Sequence, residues 1–255
     1  MLELFKYRQL LAFLVKKELK IKYRDTIFGF FWSLLEPLGL MVIYSVVFSI
    51  ILKWEIDNYA LFLLAGLIPW MFFNNSINRG AKALTSNSSL IKKVYFPRQM
   101  FPLTVVTTNL VNLGISLFLV AILSFSLGVG IKLAALPWLI VIIVIQFILV
   151  FAITLLLSSV NVYYRDIEFI SSLFLRGWMY LSPIIYPIGM VPDEYLSLYM
   201  LNPMTPIIGM YKYVFYGSEM MPLAYVAYSA IFAVVLLIIS WKLFEKLSRR
   251  MGEVI

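Results

Sequence analysis

The chain has 255 residues, of which 62% are hydrophobic and 13% are charged, and its mean hydropathy is +0.93. This composition excludes an ordinary soluble domain and indicates an integral membrane protein with a net charge of +8. The chain contains no cysteine and no histidine, so disulfides, thiolate chemistry, imidazole catalysis and the common transition-metal sites are excluded, and no metal is expected.

Residues 1–24 precede the first strongly apolar stretch. They lack the uninterrupted apolar core and the small-residue cleavage site of a secretory signal. Leu4, Tyr7, Leu11 and Leu14 recur at helical spacing, while most of the lysines lie elsewhere on the helix surface. The pattern predicts an amphipathic helix that lies on the inner membrane surface. A helix that packs against another part of the protein is the alternative.

Six apolar stretches are long enough to cross a hydrocarbon layer of ~30 Å as helices of about 20 residues. They are Ile27–Leu52, Tyr59–Ile77, Leu103–Leu127, Leu136–Val162, Ile167–Ile188 and Leu223–Phe244. The sequence therefore predicts an all-α polytopic membrane protein with six transmembrane helices. Residues 1–255 form a single transmembrane domain in this interpretation, with an interface helix over 1–24, the six spans over 27–244 and a cytoplasmic tail over 245–255.

The second and fifth stretches carry the weakest signals. The second is unbroken and apolar only over residues 59–73, so polar residues must complete the crossing. The fifth contains Arg176, Pro183 and Pro187, and a re-entrant segment is the alternative there.

The distribution of charge favours six spans with both termini in the cytoplasm. That arrangement places most of the 21 lysines and arginines on the cytoplasmic side. The exceptions are Lys53, Lys132 and Lys212, which fall on the external side of the membrane, and Arg176, which lies within a span. The bias follows the positive-inside rule, whereas five spans would put the basic C-terminus on the opposite side. Because the cations follow membrane topology, nucleic acid is not an expected partner.

Residues 79–98 form a basic connector that contains no acidic residue. The Thr-Ser-Asn-Ser run at 85–88 offers helix-start chemistry, and residues 90–95 then predict a short helix that stops before Pro97. This helix either docks to a cytoplasmic partner or lies on the inner surface, where its lysines meet anionic lipid.

Four prolines lie within residues 182–205, and a fifth follows directly. Prolines that interrupt helices are tolerated at membrane depth only where protein or water satisfies the freed backbone groups. The pattern predicts a bent or re-entrant structure that closes the external mouth. An ordinary proline-rich surface loop is the alternative.

Glu36 and Arg176 are the charged residues at membrane depth. Two such residues are few for an ion-coupled transporter, which usually needs a relay of them. Each is nevertheless a candidate functional residue, because an isolated charge in a span costs about 3 kcal/mol on insertion scales. A structural pair between them, or snorkelling toward the inner surface, is the alternative.

Acidic residues in the outer loops leave a membrane enzyme as a third class of function, although such residues are more often solvated surface. They are Glu55, Asp57, Asp193, Glu194 and Glu219. The sequence contains no Gly-x-x-x-x-Gly-Lys-Ser/Thr pattern that would cradle nucleotide phosphates. Any active transport therefore needs energy from a partner or from an ion gradient.

Five segments resemble, in order, type-2 ATP-binding-cassette permeases that export polysaccharides, including O-antigen and teichoic-acid transporters. They are IKYRDTIFGFFWSLLEPLGLMVIYSVVFS (21–49), FLLAGLIPWMFFNNSINRGAKALTSNSSLIKKVYFPRQMFPL (62–103), NVYYRDIEFI (161–170), LSPIIYPIGMVPDEY (181–195) and LNPMTPI (201–207). The resemblance covers nearly the whole chain and is specific as an ordered set.

The resemblance implies a homodimeric channel in the inner membrane, clamped to two copies of a separate cytoplasmic ATPase. It also implies that ATP and magnesium belong to that ATPase, that this chain binds no cofactor, and that the substrate is a lipid-linked polysaccharide of the O-antigen type. Teichoic acid, capsule, a drug or a lipid are alternative substrates. A membrane scaffold or channel that needs no ATPase is the alternative from another class.

The resemblance also makes the short helix of the basic connector a coupling helix. The ATPase-coupling residues are then Asn87, Ser88, Leu90, Lys92, Lys93 and Tyr95, with Arg165 and Asp166 from a shorter connector that is otherwise a charged turn. A sugar pathway needs aromatic faces and hydrogen-bonding groups. The pathway candidates are Trp32, Glu36 and Tyr44, which fall near one helical stripe, together with Arg176. The external-gate candidates are Pro183, Tyr186, Pro187 and Pro192.

Overall fold

The computed structural model describes residues 6–93, 96–249 and 251. Within these ranges the chain is helical, with ten α-helices and no β-strand, which confirms the all-α prediction. In chain order the helices are α1 (Arg8–Tyr23), α2 (Trp32–Ser45), α3 (Tyr59–Ala81), α4 (Ser88–Lys93), α5 (Met100–Ser126), α6 (Leu136–Asn161), α7 (Ile167–Tyr180), α8 (Asp193–Met200), α9 (Met204–Phe215) and α10 (Leu223–Ser248). Val46–Ile51 extends α2 by π-helical turns.

Among the described residues, five helices are long and apolar enough to cross a membrane: α2 with its extension, α3, α5, α6 and α10. They correspond to the first, second, third, fourth and sixth predicted spans. The fifth predicted span, Ile167–Ile188, is not one continuous helix, because α7 ends at Tyr180. The residue before a proline is biased away from helical geometry, and Pro183 follows closely. Helix length therefore does not confirm the count of six spans.

Residues with special backbone properties set the ends of the long helices. Asn58 adopts a left-handed φ of +48° directly before α3. Pro137 lies in the first turn of α6, where its missing N–H would have had no intrahelical partner. After α5 the chain turns at Gly128, whose φ of +74° is accessible to glycine without steric cost.

The protein core forms around α3, which packs against α5, α6 and α9. Within its most apolar stretch, 78% of the residues of α3 are buried. Helix α9 is buried along almost all of its 12 residues, although it is too short to cross a membrane by itself. The corresponding buried share for α2 is only 6%. Most of the surface of the first span is therefore not covered by the rest of the protomer.

Two close contacts explain how α3, α6 and α9 pack together. The amide of Gln146 donates to the carbonyl of Pro69 at 2.8 Å and accepts from the hydroxyl of Tyr211 at 2.9 Å. Gly80 faces Thr154 so closely that a Cβ atom at Gly80 would lie 2.0 Å from the Thr154 methyl. The three helices thus meet through a satisfied buried amide and a glycine contact.

Within the predicted interface segment 1–24, Arg8–Tyr23 form helix α1, which packs against α5, while residues 1–5 lie outside the described residues. Leu14 is buried, whereas Phe13 and Ile21 are exposed. These contacts show that α1 is attached to the bundle, which agrees with the alternative expectation. Its position on the membrane surface stays a prediction.

Candidate coupling surface and transport pathway

The basic connector contains the predicted short helix, α4, which begins at Ser88 after a 3₁₀ turn over Thr85–Asn87. The side chain of Asn87 donates to the carbonyl of Ala83 at 2.8 Å and holds the turn against the end of α3. Helix α4 exposes Lys92 and Lys93. Leu90 and Ile91 are half-buried and pack against the core. The helix therefore presents two cations outward from an anchored apolar side; Tyr95 lies outside the described residues.

The two connectors on this side of the bundle are joined by an ion pair. Lys82 Nζ lies 2.8 Å from a carboxylate oxygen of Glu168, and Asn161 donates to the other oxygen at 2.9 Å. Arg165 and Asp166, just before α7, are exposed. The structure thus places Arg165 and Asp166, the predicted second contact, near the start of the connector that carries α4.

The C-terminal end of α10 is held by both connectors. Tyr163 donates to the carbonyl of Leu247 at 2.8 Å, and Arg98 donates to the carbonyl of Ser248. Because the last carbonyls of a helix have no intrahelical partner, these bonds complete the end of α10. Both connectors are therefore hydrogen-bonded to the end of this helix.

Helix α1 joins the same region through the ion pair between Glu18 and Arg79, whose closest atoms lie 2.8 Å apart. Burial lowers the pKa of Lys22 in α1, and the nearby charge of Arg79 lowers it further, while Glu36 opposes the change. The hydroxyl of Tyr23 donates to Asn112 at 3.0 Å. Helix α1 is therefore attached to both α3 and α5 by polar bonds.

A small polar cavity of about 40 Å³ lies between α1, α2, α3 and α5. Lys22, Glu36, Asn75, Asn109 and Asn112 contribute to its lining. A cavity of this size with several polar partners suits ordered water. The predicted pathway residue Glu36 therefore borders a cavity that has polar groups beside the apolar side chains of Ile68 and Leu113.

The predicted pathway residues lie on two different helices. Trp32 and Glu36 are exposed on α2, and Arg176 is exposed on α7. Tyr44 is half-buried, with its ring 6.2 Å from that of Phe48. Among the described residues no ion pair joins Glu36 to Arg176 within one protomer. Both charges remain open to a second molecule, to substrate or to water.

The proline-rich segment after α7 is bent, and distant side chains satisfy its backbone. Asn202 donates to the carbonyl of Leu181 at 2.8 Å, and Tyr59 donates to that of Ile185 at 3.1 Å. Lys212 Nζ donates to the carbonyls of Pro183 at 2.5 Å and Ile184 at 3.2 Å. Irregular backbone is tolerated at membrane depth when protein satisfies it in this way.

The four predicted gate residues occupy different environments within this segment. Pro183 is buried, Tyr186 and Pro187 are half-buried, and Pro192 is exposed just before α8. The hydroxyl of Tyr186 donates to the carbonyl of Tyr180 at 2.6 Å and accepts from the hydroxyl of Tyr199 at 3.2 Å. These bonds fold the segment back on the end of α7.

Sequence reasoning missed Lys212 and Asn202. Lys212 is only 4% exposed, and its Nζ lies 3.3 Å from the ring centre of Phe62. Asn202 accepts from Trp178 at 2.9 Å and also from the backbone N–H of Met204 at 2.9 Å. The available signal for Lys212 was a single cation inside the otherwise apolar run MTPIIGMYKYVF.

Known proteins resemble this chain over 75% to 98% of its length. The chain is 34% identical over 255 residues to the O-antigen export system permease protein RfbA of Myxococcus xanthus, covering 98% of this chain and 97% of the relative. It is 29% identical over 246 residues to a protein of the same name from Klebsiella pneumoniae, covering 96% and 95%. It is 22% identical over 195 residues to the polysialic acid transport protein KpsM of Escherichia coli, covering 75% of each chain.

The family described as ABC-2 type transporter matches residues 9–216. This range begins in α1 and ends just after α9, so it includes both connectors and the bent segment. The chain therefore belongs to the ABC-2 type transporter family.

Proposed function

We propose that this chain is the membrane-spanning subunit of an ATP-driven exporter that moves lipid-linked polysaccharide of the O-antigen type out of the cytoplasm. The observation that carries the proposal is the near full-length similarity to O-antigen export permeases. The similarity to a polysialic acid transport protein makes a capsular polysaccharide the second candidate substrate, although it covers only 75% of the chain.

The exporter in this proposal contains two copies of the chain and two copies of a cytoplasmic ATPase, which binds ATP and magnesium. The exposed first span supports the second copy, because 6% burial leaves a long face without a protein neighbour in the protomer. Trp32 and Glu36 on α2, with Arg176 on α7, then line the sugar pathway. Aromatic faces stack on sugar rings, and the charged groups bind hydroxyls.

The chain crosses the inner membrane six times in this proposal, with both termini in the cytoplasm. Helix α7 has 14 residues, so at a rise of about 1.5 Å per residue it reaches most of the way through the hydrocarbon. The bent segment and the buried helix α9 complete that crossing from the outside. Pro183, Tyr186, Pro187 and Pro192 form the external gate.

Coupling begins at α4, which docks into the ATPase with Asn87, Ser88, Leu90, Lys92, Lys93 and Tyr95. Arg165 and Asp166 form the second contact. The Lys82–Glu168 pair transmits movement of α4 to α7, and the Glu18–Arg79 pair transmits it to α1. When the ATPase closes on ATP, these bonds move α1, α7 and the end of α10 together and open the pathway between the two copies.

The first experiment is affinity purification of the chain from native membranes, with identification of bound proteins and an ATPase assay with and without lipid-linked polysaccharide. We expect a stoichiometric ATPase whose turnover responds to the polymer. A chain that purifies alone and lacks nucleotide-dependent activity after reconstitution would overturn the proposal.

The coupling assignment is tested with the double variant Lys92→Glu and Lys93→Glu. Charge reversal at a docking surface costs several kcal/mol, so we expect loss of ATPase co-purification while membrane insertion stays normal. The matched control is Lys17→Glu with Lys20→Glu, which reverses two exposed charges on α1. Equal loss in both variants would point to net charge and would contradict α4 as the docking element.

A further inference from the structure

A second cavity opens on the side of the bundle where α5 begins and α10 ends. It has a volume of about 530 Å³ and is formed by three segments far apart in sequence, 6–7, 96–99 and 248–249. The bond from Arg98 to the carbonyl of Ser248 holds two of these segments together. The cavity is therefore a product of the tertiary fold.

The lining of this cavity is cationic. Lys6, Arg98 and Arg249 contribute to it, and the described lining contains no acidic residue. None of the three cations takes part in the ion pairs found among the described residues. Arg98 uses one guanidinium nitrogen on the Ser248 carbonyl and keeps further donors for another group. Three cations that have no ion-pair partner among the described residues surround one cavity, and this favours an anion there.

The position of the cavity indicates which anion fits. Helices α5 and α10 both qualify as membrane spans, and their ends border the cavity, so it lies at the level of the membrane surface. Phe96 and Pro97 supply an apolar part of the wall beside the cations. A phospholipid headgroup has this combination of phosphate and less polar glycerol, and basic pockets between transmembrane helices bind such headgroups.

We propose that this cavity binds the headgroup of an anionic phospholipid, with its phosphate held by Lys6, Arg98 and Arg249. The bound lipid joins the N-terminal segment, the connector that carries α4 and the end of α10. It thereby stabilises the connector on the side where the ATPase is proposed to dock. The site does not depend on which polymer is exported, so it can fail while the exporter function stands.

The test is native mass spectrometry of the permease purified with its ATPase. Phosphatidylglycerol and phosphatidylcholine with identical acyl chains are the probes. We expect at least tenfold tighter binding of phosphatidylglycerol. The variant Lys6→Gln with Arg249→Gln leaves the Arg98 bond intact, and it should lose roughly 25-fold in phosphatidylglycerol affinity, since each cation near an anionic lipid contributes about fivefold.

Lys246→Gln is the matched control, because it removes an exposed cation from the same end of α10 outside the cavity. Its phosphatidylglycerol affinity should change less than twofold. An equal loss in the control would show diffuse attraction and overturn the site. Unchanged binding in the double variant would also overturn it. If phosphatidylglycerol binds to the permease alone but not to its complex with the ATPase, the cavity belongs to the ATPase contact and the lipid site is overturned. If only undecaprenyl diphosphate displaces the bound phosphatidylglycerol, the cavity belongs to the carrier lipid and the proposal is likewise overturned.

Discussion

Helix α2 with its extension and helix α3 are apolar spans of 20 and 23 residues, yet the protein uses them in opposite ways. In its most apolar stretch α3 is 78% buried, whereas α2 is 6% buried. Apolar side chains suit lipid and protein surroundings equally well, so hydropathy alone does not separate the two roles. The comparison shows that α3 belongs to the scaffold and that α2 offers its surface to lipid, to substrate or to a second copy.

The polar residues of the two regions differ in the same way. Against α3, buried polar groups such as Lys212 and Gln146 are hydrogen-bonded within the protomer, Lys212 to the carbonyls of Pro183 and Ile184 and Gln146 to that of Pro69. On α2 the charge of Glu36 is exposed and has no ion-pair partner among the described residues. An exposed charge in a span requires water or another molecule, which is why the exposed surface of α2 is the candidate pathway.

The largest effect is expected from removing the buried amino group of Lys212. Lys212→Met leaves two buried carbonyls without a donor, and at about 1–3 kcal/mol for each group the protein should lose roughly 3 kcal/mol of stability. Thermal unfolding in detergent measures this as a midpoint lower by several degrees. Lys53→Met, at an exposed lysine, is the control and should leave the midpoint unchanged. A midpoint at or above that of the wild type would contradict the role assigned to Lys212.

The next effect is expected at the contact between α3 and α6. In Gly80→Ala the new methyl would lie 2.0 Å from the Thr154 side chain, so the helices must separate at a cost of about 1–3 kcal/mol. Adding Thr154→Ala should restore most of the loss. Gly114→Ala serves as the control, because no atom outside its own helix backbone lies within 4 Å of a Cβ there. Failure of the double variant to recover stability would argue against this packing.

A substitution on the exposed surface of α2 should change export and not the stability of the protein. Trp32→Ala should lower the rate of polysaccharide export about fivefold, because one aromatic contact is worth roughly 1 kcal/mol. Its unfolding midpoint should stay within 2 °C of the wild type. Phe118→Ala removes an aromatic side chain that is 69% exposed on α5, and it should leave export unchanged. Equal defects in the two variants would contradict the assignment of the pathway to α2.

The smallest effect is expected at the link between the two connectors. The side chains of Lys82 and Glu168 are 54% and 22% exposed, so their pairing should contribute only about 0.5–1 kcal/mol. A double-mutant cycle with Lys82→Gln and Glu168→Gln measures it. Export should fall more than stability does, because the pair transmits movement in the proposed mechanism. A coupling energy of zero, with normal export, would remove this link from the mechanism.

Several parts of the candidate site could be predicted from local sequence. The basic connector predicted a short helix before Pro97, and the structure has α4 at Ser88–Lys93. The predicted start of α3 at Tyr59 is confirmed, as is that of α10 at Leu223. These features depend on neighbouring residues, mainly proline, asparagine and long apolar runs, whose conformational preferences act within one turn of the chain.

The pairing of distant polar groups could not be predicted in this way. The sequence placed Lys212 among the outer cations, whereas the structure buries it against carbonyls about thirty residues earlier in the chain. Periodicity contains no information about which carbonyls remain unsatisfied where a helix breaks. For the same reason the sequence predicted a fifth span over Ile167–Ile188, whereas the helix in the structure ends at Tyr180 and a bent segment follows it.

By itself the sequence determined the membrane class of this protein, the positions of five long helices and the basic connector, because hydrophobicity, charge and proline act locally. Only the tertiary structure decided which helix lies inside, which faces outward and which distant groups satisfy the broken backbone. Those outcomes depend on the packing of surfaces that are equally apolar along the chain and differ only in shape and in hydrogen-bonding partners.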